Sequence, residues 1–382
     1  MNLRSAFASV LLVAASTFAP AQPPAAAPAA AVPADRPIRV AVVGLVHDHA
    51  LGIFGALARS HSATLVGIAE PDKNLVALYS QRFNLAGSLF YSDEARMIEA
   101  THPDAVLVYT SILDHRKAIE IAAHHHVPAA MVEKPLATTM DDALAIRRIA
   151  RDSHIRVLVN YETTWYASNA EALREVDNGM LGTIRRVVVH DGHEGPKEIG
   201  VSHTFLSWLT DPHQSGGGAI FDFGCYGADL MTLIMHGQAP ESVTAVALTD
   251  KPKTYPNVED DATVVVRYKG AQAVLQPSWT WSFARKDMEV YGTSGYLITE
   301  ADNRVRTRYK GQLSEQEHEA PRLVANQQDS LDYLAAVLHG QLNPHGDLSS
   351  LSTNMTVMQI LTAASESAKT GRTISITPLP TN

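Results

Sequence analysis

The stretch Met131-Val132-Glu133-Lys134-Pro135 closes an apolar, strand-like run that begins at Val127. It places an acid and a base where a strand would end, and ligands bind at the carboxyl ends of the strands in doubly wound α/β domains. Proline disfavours the helical region for the residue before it, so Lys134 should lie on an extended turn. Taken alone, the segment fits a surface turn with two solvated charges equally well.

A helical pattern follows this turn, capped by Thr138 or Thr139 and running from Met140 to about Ser153. The surrounding sequence alternates strand and helix signals in the same way. Further strands are predicted over 38–43, 63–69, 105–109 and 156–160, and further helices over 50–59, 73–83, 93–100 and 113–125. Apolar strands separated by amphipathic helices pair in parallel and are covered on both faces. The pattern therefore predicts a Rossmann-type, doubly wound parallel sheet over residues 37–160.

The rhythm changes after Tyr161, where strand-like segments follow one another without helices between them. These strands are predicted over 183–190, 242–248, 262–268, 271–279, 287–291 and 296–299. Helices are predicted over 168–178, after Gly218, and over 326–339 and 351–370. Consecutive strands favour antiparallel pairing. The chain is therefore expected to be an α/β protein whose residues 161–382 form an α+β domain with a large, mainly antiparallel sheet.

The composition is that of an ordinary globular protein. The 382 residues suffice for two domains of usual size, and 46% of them are hydrophobic. Lys and Arg number 31 against 40 Asp and Glu, which gives a formal net charge of −9. This acidic balance argues against nucleic acid or an anionic membrane surface as a partner.

The N-terminus has the pattern of an export signal. A short cationic start ends at Arg4, an apolar run extends from Ala6 to Ala15, and Ala19-Pro20-Ala21 offers a cleavage site. We expect a signal peptide over 1–21, an Ala/Pro-rich leader over 22–36, and a periplasmic or secreted protein. The apolar run is too short to span a membrane, so no membrane anchor is expected. A disordered cytoplasmic tail is the alternative interpretation.

A dinucleotide-binding turn after the first strand should read G-x-G-x-x-G. This chain has Gly44-Leu45-Val46-His47-Asp48-His49, in which only the first glycine is present. Val46 stands where glycine lets the backbone approach a pyrophosphate, and His49 stands where close helix packing favours a small residue. The following helix still offers free N–H groups to an anion, and His47 and His49 could add donors. The loop is a candidate cofactor site with a degenerate fingerprint.

Glu70 follows the second predicted strand. A carboxylate there accepts hydrogen bonds from ribose hydroxyls and repels a 2′-phosphate, which favours NAD over NADP. The alternative is a solvated acid in a turn, because Asp72 is equally available.

Histidines cluster at His47, His49 and His124-His125-His126, which raises the question of a metal ion. Ligation needs a converging third or fourth ligand, and no spacing in the sequence identifies one. The triplet ends a predicted helix, where it can favour the helix dipole. No metal site is predicted.

A second unusual stretch runs from Gly216-Gly217-Gly218 to Leu230. Three glycines let the backbone approach a ligand or a neighbouring element closely. Asp222 and Tyr226 are four residues apart on the predicted helix and should share a face. A carboxylate and a phenol opposite Lys134 could form a proton-transfer site, in which the lysine would lower the pKa of Tyr226. An N-cap aspartate and a packed tyrosine are the alternative interpretation.

With both motifs present, the chain resembles the Gfo/Idh/MocA oxidoreductases from about Ile38 to Ile376. The motifs that carry the resemblance are Glu133-Lys134-Pro135, Gly216 to Tyr226, Asp261-Ala262-Thr263 and Tyr291-Gly292-Thr293-Ser294-Gly295. The resemblance implies hydride transfer between a nicotinamide cofactor and a sugar or cyclic polyol. It implies that Lys134 contacts nicotinamide and substrate, that Asp222 contacts substrate, and that Tyr226 transfers the proton.

The resemblance also supplies a larger set of expected site residues. Those expected at the cofactor, NAD, are Gly44, Val46, His47, His49, Glu70, Thr110, His115, Glu133 and Lys134. Those expected at the carbohydrate substrate are Tyr161, His193, Lys197 and Trp208. The open sheet face often pairs in this family, so a homo-oligomer through the C-terminal sheet is a further expectation.

Two functions follow from these features. The first is an NAD-dependent oxidoreductase of a sugar or polyol, with the option of a tightly bound, recycled cofactor and of redox-assisted glycoside cleavage. The second is a secreted carbohydrate-binding protein on a degenerate oxidoreductase scaffold, which Val46 and the export signal favour.

Overall fold

The computed structural model describes residues 32–33 and 36–380. The predicted signal peptide, and most of the predicted leader, lie outside the described residues. Within the described part of the chain, no helix is both long enough and apolar enough to cross a membrane.

The N-terminal domain is built on a six-stranded sheet in which all strands run parallel. Its strands are β1 (Ile38–Val43), β2 (Ala63–Ala69), β3 (Phe90–Tyr91), β4 (Ala105–Val108), β5 (Ala129–Glu133) and β6 (Arg156–Asn160). Their order in the sheet is β3-β2-β1-β4-β5-β6, so the chain reverses direction across the sheet between β1 and β4. Ligands bind at such a switch point, outside the carboxyl ends of the strands.

Helices cover both faces of this sheet, as predicted. They are α1 (Ala50–Arg59), α2 (Lys73–Phe83), α3 (Glu94–Thr101), α4 (His115–His124) and α5 (Met140–Ser153). Side-chain N-caps fix where three of them begin, because each cap oxygen accepts a backbone N–H of the first turn. The caps are Asp72 for α2, Asp93 for α3 and Thr139 for α5, so Thr139 rather than Thr138 is the cap.

The second sheet has nine strands in the order β14-β13-β12-β11-β7-β10-β9-β8-β15. Its strands are β7 (Ile184–Gly192), β8 (Ser242–Leu248), β9 (Asp261–Tyr268), β10 (Ala271–Ser278), β11 (Arg285–Gly292), β12 (Gly295–Glu300), β13 (Arg304–Tyr309), β14 (Gln316–Glu319) and β15 (Ile374–Ser375). Strands β7 and β10 pair in parallel, and the other neighbouring strands pair antiparallel. The prediction of a mainly antiparallel sheet is confirmed.

Helices of the second half are α6 (Ala167–Asp177), α7 (His203–Leu209), α8 (Pro212–Ser215), α9 (Ala219–Asp222), α10 (Gly224–Ile234), α11 (Ser330–Leu338) and α12 (Leu351–Thr370). Helix α10 lies close against the sheet because of Gly227. A Cβ at Gly227 would lie 2.8 Å from Leu275 Cδ2 and 3.1 Å from Val189 Cβ. This contact places the start of α10 beside the end of β7.

Helix α11 packs against the first sheet rather than the second. Its buried Leu331, Leu334 and Leu338 belong to one apolar cluster with Ile38 and Val40 of β1. The sequence places this helix in the 161–382 domain, whereas the structure shows that it completes the core of the N-terminal domain.

Some elements differ from the predicted ones. Strand β14 was not predicted because all four of its residues are exposed and lack an apolar alternation. Strands β3 and β15 have only two residues each, too few for a pattern. The predicted helix 326–339 begins only at Ser330, where the Asp329 side chain accepts the N–H groups of Leu331 and Asp332.

Candidate active site

The site is centred on an ion pair between the two domains. Lys134, at the turn after β5, donates from Nζ to Asp222 Oδ1 at 2.5 Å and to the Asp222 carbonyl at 2.9 Å. The other carboxylate oxygen of Asp222 accepts the indole N–H of Trp279 at 2.9 Å. The Lys134–Pro135 peptide bond is cis. Lys134 and Asp222 are both buried, so the pair is shielded from water.

Burial opposes the charged form of both residues, but their mutual attraction outweighs this effect. Burial lowers the pKa of Lys134, whereas Asp222 raises it, and the result lies above its ordinary value. Burial raises the pKa of Asp222, whereas Lys134, His193 and Trp279 lower it, and the result lies below its ordinary value. Both groups therefore stay charged at neutral pH.

Tyr226 lies beside this pair, and its ring is close to two ammonium groups. The Nζ atoms of Lys134 and Lys286 each lie 5.1 Å from the centre of the ring. Among the described residues, none forms a hydrogen bond with the Tyr226 hydroxyl. The contacts of Tyr226 with the two lysines are therefore made by its ring, and its hydroxyl can form a hydrogen bond with a ligand.

The expected effect of Lys134 on Tyr226 is wrong in this structure. Burial raises the pKa of Tyr226 well above its usual value, and Glu162, Cys225 and Asp222 raise it further. The ammonium of Lys134, which donates to Asp222, does not outweigh these effects on the phenol.

Asp222 and Tyr226 also do not share one continuous helix, as had been expected. Helix α9 ends at Asp222, and Phe223 breaks the helical geometry with φ −112° and ψ −29° before α10 begins. Both side chains nevertheless contact Lys134, one by hydrogen bonds and one through its ring. The break lets consecutive short helices deliver them from different directions.

Glu133 connects the same turn to the loop after β1. Its carboxylate accepts from Asn160 Nδ2 at 2.7 Å and pairs with His49 Nδ1 at 2.8 Å. Burial raises the pKa of Glu133, but His49, Asn160 and Lys134 lower it below its ordinary value. The carboxylate is therefore ionised. Its pair with His49 joins the end of β5 to the loop after β1.

The loop after β1 keeps the tight turn of a dinucleotide-binding site. Gly44 has a φ of +78°, and a Cβ there would lie 2.7 Å from Thr110 Cγ2, so glycine is required. Glu70, at the end of β2, accepts the backbone N–H groups of Leu45 and Asp72 at 2.8 Å each. A carboxylate thus stands beside the turn, as the predicted ribose contact requires.

Helix α7 of the second half covers this loop. The Trp208 indole donates to the Val46 carbonyl at 3.1 Å, and the Asp48 carboxylate accepts the Ser202 N–H at 2.7 Å. His47 is buried, with its ring centre 4.7 Å from that of Phe205 and 5.3 Å from that of Trp208. Burial lowers the pKa of His47 well below its usual value, so this ring is neutral.

His115 leaves an unpartnered nitrogen in the same region. Its Nδ1 lies 3.2 Å from the Leu136 carbonyl, which makes Nδ1 the donor, and its buried Nε2 has no partner among the described residues. Burial lowers the pKa of His115 to about 4, so Nε2 is an acceptor at neutral pH. This free acceptor, the turn at Gly44 and the carboxylate of Glu70 together fit a bound NAD.

A metal ion has one set of possible ligands in the described chain. Donor atoms of His47, His49 and Glu133 lie within 4.8 Å of one another. Glu133 is the third ligand that sequence spacing did not reveal. His49 and Glu133 already satisfy each other at 2.8 Å, so an ion would have to break that pair.

The four residues expected at the substrate fall into different places. Tyr161 is buried and donates to Asn354 Oδ1 at 2.6 Å, and its ring packs on Tyr226 at 5.6 Å. His193 lies within the site, with its ring 5.0 Å from that of Phe223. Trp208 covers the cofactor loop instead, as described above. Lys197 lies on an exposed segment whose backbone N–H bonds to Tyr255.

Sequence reasoning missed several residues of the site. They are Asn160, Glu162, Trp279 and Lys286. Asn160 ends β6 next to Glu133 in the register, so the strand-end argument used for Lys134 could have identified it. Trp279 and Lys286 reach the site through the pairing of β7, β10 and β11, which local patterns do not reveal, and Glu162 joins it through its ion pair with Lys286.

Comparison with known proteins places the chain in a family. A model for the oxidoreductase family with an NAD-binding Rossmann fold matches residues 38–161, and a model for the GFO/IDH/MocA C-terminal domain matches residues 169–298. The 1,5-anhydro-D-fructose reductase of Ensifer adhaerens is 26% identical over 250 residues, which is 64% of this chain and 71% of that protein.

Solved structures share the whole fold. The aldose-aldose oxidoreductase of Caulobacter crescentus, complexed with glycerol, has a TM-score of 0.77 at 23% identity and covers 89% of this chain and 100% of its own. An inositol dehydrogenase homologue from Azotobacter vinelandii, complexed with NAD+, has a TM-score of 0.77 at 19% identity, covering 90% and 98%. The two family models together match more than half of the chain, and it belongs to the Gfo/Idh/MocA family of NAD-binding oxidoreductases.

Proposed function

We propose that this oxidoreductase interconverts a hydroxyl and a carbonyl group of a sugar or polyol, with Tyr226 transferring the proton. The observation that carries the proposal is the buried Lys134–Asp222 pair, which brings the second domain against the strand ends of the NAD-binding domain. Bound NAD supplies the hydride acceptor, or NADH the donor. Lys134, Asp222 and Tyr226 then bind and orient the reacting carbon and its oxygen.

Tyr226 suits the role of proton carrier because its hydroxyl has no hydrogen-bond partner among the described residues. Its raised pKa keeps the phenol protonated at neutral pH, which prepares it to donate to a carbonyl oxygen in the reducing direction. In the oxidising direction the phenol must first lose its proton. The ammonium groups of Lys134 and Lys286, each 5.1 Å from the ring centre, then favour the phenolate.

The class of substrate is supported by similarity and by the chemistry of the site. The relatives named above are a reductase of 1,5-anhydro-D-fructose, an aldose oxidoreductase and an inositol dehydrogenase homologue. In this chain, Lys286, which is paired with Glu162, lies 5.1 Å from the centre of the Tyr226 ring. His193 packs on Phe223, whose ring stacks on that of Tyr226. Such a mixture can bind both the hydroxyls and the apolar face of a sugar ring.

Export to the periplasm or the medium is part of the proposal, on the strength of the N-terminal sequence. A cofactor outside the cytoplasm has to be retained through the catalytic cycle. Helix α7 supports such retention because Trp208 and Phe205 lie over the loop after β1. We also propose a homo-oligomer through the open face of the second sheet, where Val246 and Leu248 are 64% and 52% exposed.

Mass spectrometry of the protein, purified from the exported fraction and then denatured, tests the proposal. We expect NAD or NADH to be released in stoichiometric amount, and a panel of sugars and polyols to change the nicotinamide absorbance of the native protein. Lys134→Ala should lower kcat at least a hundredfold, in the range typical of acid–base catalysis.

Two outcomes would contradict the proposal. If the denatured protein releases no nicotinamide and the native protein binds a sugar without added nicotinamide, the protein is better described as a carbohydrate-binding protein. Full activity of the Lys134→Ala variant would remove this lysine from the mechanism.

A further inference from the structure

Asp191 is a buried carboxyl on the strand that faces the site. It lies two residues after Val189 on β7, so both side chains point to the same face of the sheet, where Val189 packs against α10 at Gly227. The charge of Asp191 acts on Cys225 at the start of α10, next to Tyr226, which places Asp191 at that end of the helix.

The register places Asp191 directly opposite Lys286 of β11. Residues directly opposite in an antiparallel pair point to the same face. Lys286 forms its ion pair with Glu162 and lies 5.1 Å from the centre of the Tyr226 ring. The lysine that could have neutralised Asp191 is thus bound elsewhere, and its position confirms that Asp191 belongs to the wall of the site.

Asp191 has no hydrogen-bond or ion-pair partner among the described residues, although it is only 3% exposed. Most buried polar groups in folded proteins are hydrogen-bonded, so an unpartnered carboxyl next to a ligand site calls for a ligand. Burial raises the pKa of Asp191 well above its usual value, and Asp287 and Glu162 add to this, while Lys286 and Lys134 oppose it. Burial therefore favours the neutral carboxyl, which offers a donor as well as an acceptor, and either form of the group can accept a hydrogen bond.

We propose that Asp191 contacts a hydroxyl of the substrate near the carbon that Tyr226 serves, and so selects sugars or polyols with an oxygen at that position. This inference rests on the proposed function and adds a specificity-determining residue to it. A carboxyl accepts the hydrogen of a hydroxyl in either protonation state, and in its neutral form it also donates to the hydroxyl oxygen.

The test compares the NAD-loaded wild type with Asp191→Asn and Asp191→Ala. The probe is the best substrate among D-glucose, myo-inositol and 1,5-anhydro-D-glucitol, together with its monodeoxy analogues. For wild type, we expect one deoxy position to lower kcat/KM by at least about tenfold, as for a lost hydrogen bond that leaves a buried group unpaired. For Asp191→Ala, we expect KM for the parent compound to rise about tenfold with kcat within about twofold, and the discrimination at that one position to disappear.

Asp229→Asn is the matched control. Asp229 is also buried, and neither of its oxygens has a partner among the described residues, but the charge that acts on it is Asp347 rather than the lysines of the site. This variant should leave the deoxy profile of wild type unchanged. Asp191→Asn keeps the shape and a donor–acceptor pair, so it should retain more of the discrimination than Asp191→Ala.

The outcomes separate this inference from the proposed function. A wild type that neither binds nicotinamide nor acts on any probe ends the proposed function, and this inference with it. A wild type that is active but accepts every monodeoxy analogue equally overturns the contact with Asp191 alone, even if both variants fail to fold. Equal loss of discrimination in the Asp229→Asn control would also overturn it.

Discussion

Lys134 is the residue on which the two halves of the chain converge. It reaches Asp222 with two hydrogen bonds and lies over the rings of Tyr226 and Phe223 at 5.1 and 5.6 Å. A buried ion pair adds little to the free energy of unfolding compared with two apolar side chains. Removing one partner, however, leaves an unpaired charge that is shielded from water. The pair therefore fixes geometry at the site more than it stabilises the fold.

Asp222→Asn should destabilise the protein by about 3 kcal/mol at neutral pH, because Lys134 loses its counter-charge. The folded-state pKa of Asp222 is lowered, so its contribution is present above its unfolded pKa and is lost as the pH falls through the folded value. Urea unfolding of wild type and variant across pH 3–8 checks this, and the difference between them should shrink towards acid pH. Asp152→Asn, which removes a fully exposed partner of Arg151, is the control and should change nothing measurable. A pH-independent difference for Asp222→Asn would contradict the prediction.

Individual site residues were predictable where a strand end or a motif exposed them. Lys134, Glu133 and Asp222 were identified in this way, and the structure joins Lys134 to Asp222 by a short ion pair. Lys286 was not, because nothing local distinguishes it from other charged residues in strands. Only the register of β7 against β11 brings it face to face with Asp191.

At the scale of elements, helix α7 is the least expected part of the site. No helix is predicted over His203–Leu209, since its seven residues are too few for a clear period. The structure shows that it carries Phe205 and Trp208 onto the loop after β1. The degenerate phosphate loop is thus supplemented by a cover from the other half of the chain.

Trp208→Phe should weaken the hold on NAD, because it keeps the ring but removes the hydrogen bond to the Val46 carbonyl. A hydrogen bond between neutral groups contributes about 1 kcal/mol, so NADH should dissociate roughly fivefold faster. Stopped-flow displacement of bound NADH, followed by its fluorescence, measures this rate. Trp281→Phe is the control, since the Trp281 indole N–H has no partner in the described chain. Equal rates for Trp208→Phe and wild type would show that α7 does not retain the cofactor.

The start of α9 shows why some element boundaries escape the sequence. A single helix after Gly218 was expected from the local pattern. In the structure, the Glu259 carboxylate accepts the N–H groups of Gly218 and Ile220 at 3.0 and 3.1 Å. A cap supplied from forty residues away leaves no local signal, whereas Thr139 and Asp72, which cap within their own segments, do.

For the whole molecule, the notable feature is the return of the chain to the first domain. Helix α11 packs into the core beside β1, and Tyr333 of this helix donates to Asp347 at 2.5 Å in the segment before α12. The general architecture was predictable from alternating patterns, but this return was not. An apolar helix face does not show which of two sheets it will cover.

Asp347→Asn should stabilise the protein at neutral pH. Burial raises the pKa of Asp347 to about 6, so the folded state binds more protons than the unfolded state between about pH 4 and 6. The stability of wild type should therefore fall over that window as the pH rises, by at most about 3 kcal/mol. The melting temperature of wild type and variant between pH 4 and 8 tests this. The two should coincide near pH 4 and diverge above it, and parallel curves would refute the prediction.

The position of α11 has a consequence for how the chain is made. The last strand of the first sheet ends at Asn160, yet the helix that completes that core starts at Ser330. At synthesis rates of about 5–20 residues per second, the half-made domain emerges from the ribosome with one face uncovered for roughly 10–30 s. During that time it cannot complete its core, which leaves a chaperone or a translocation channel an unfolded substrate to bind.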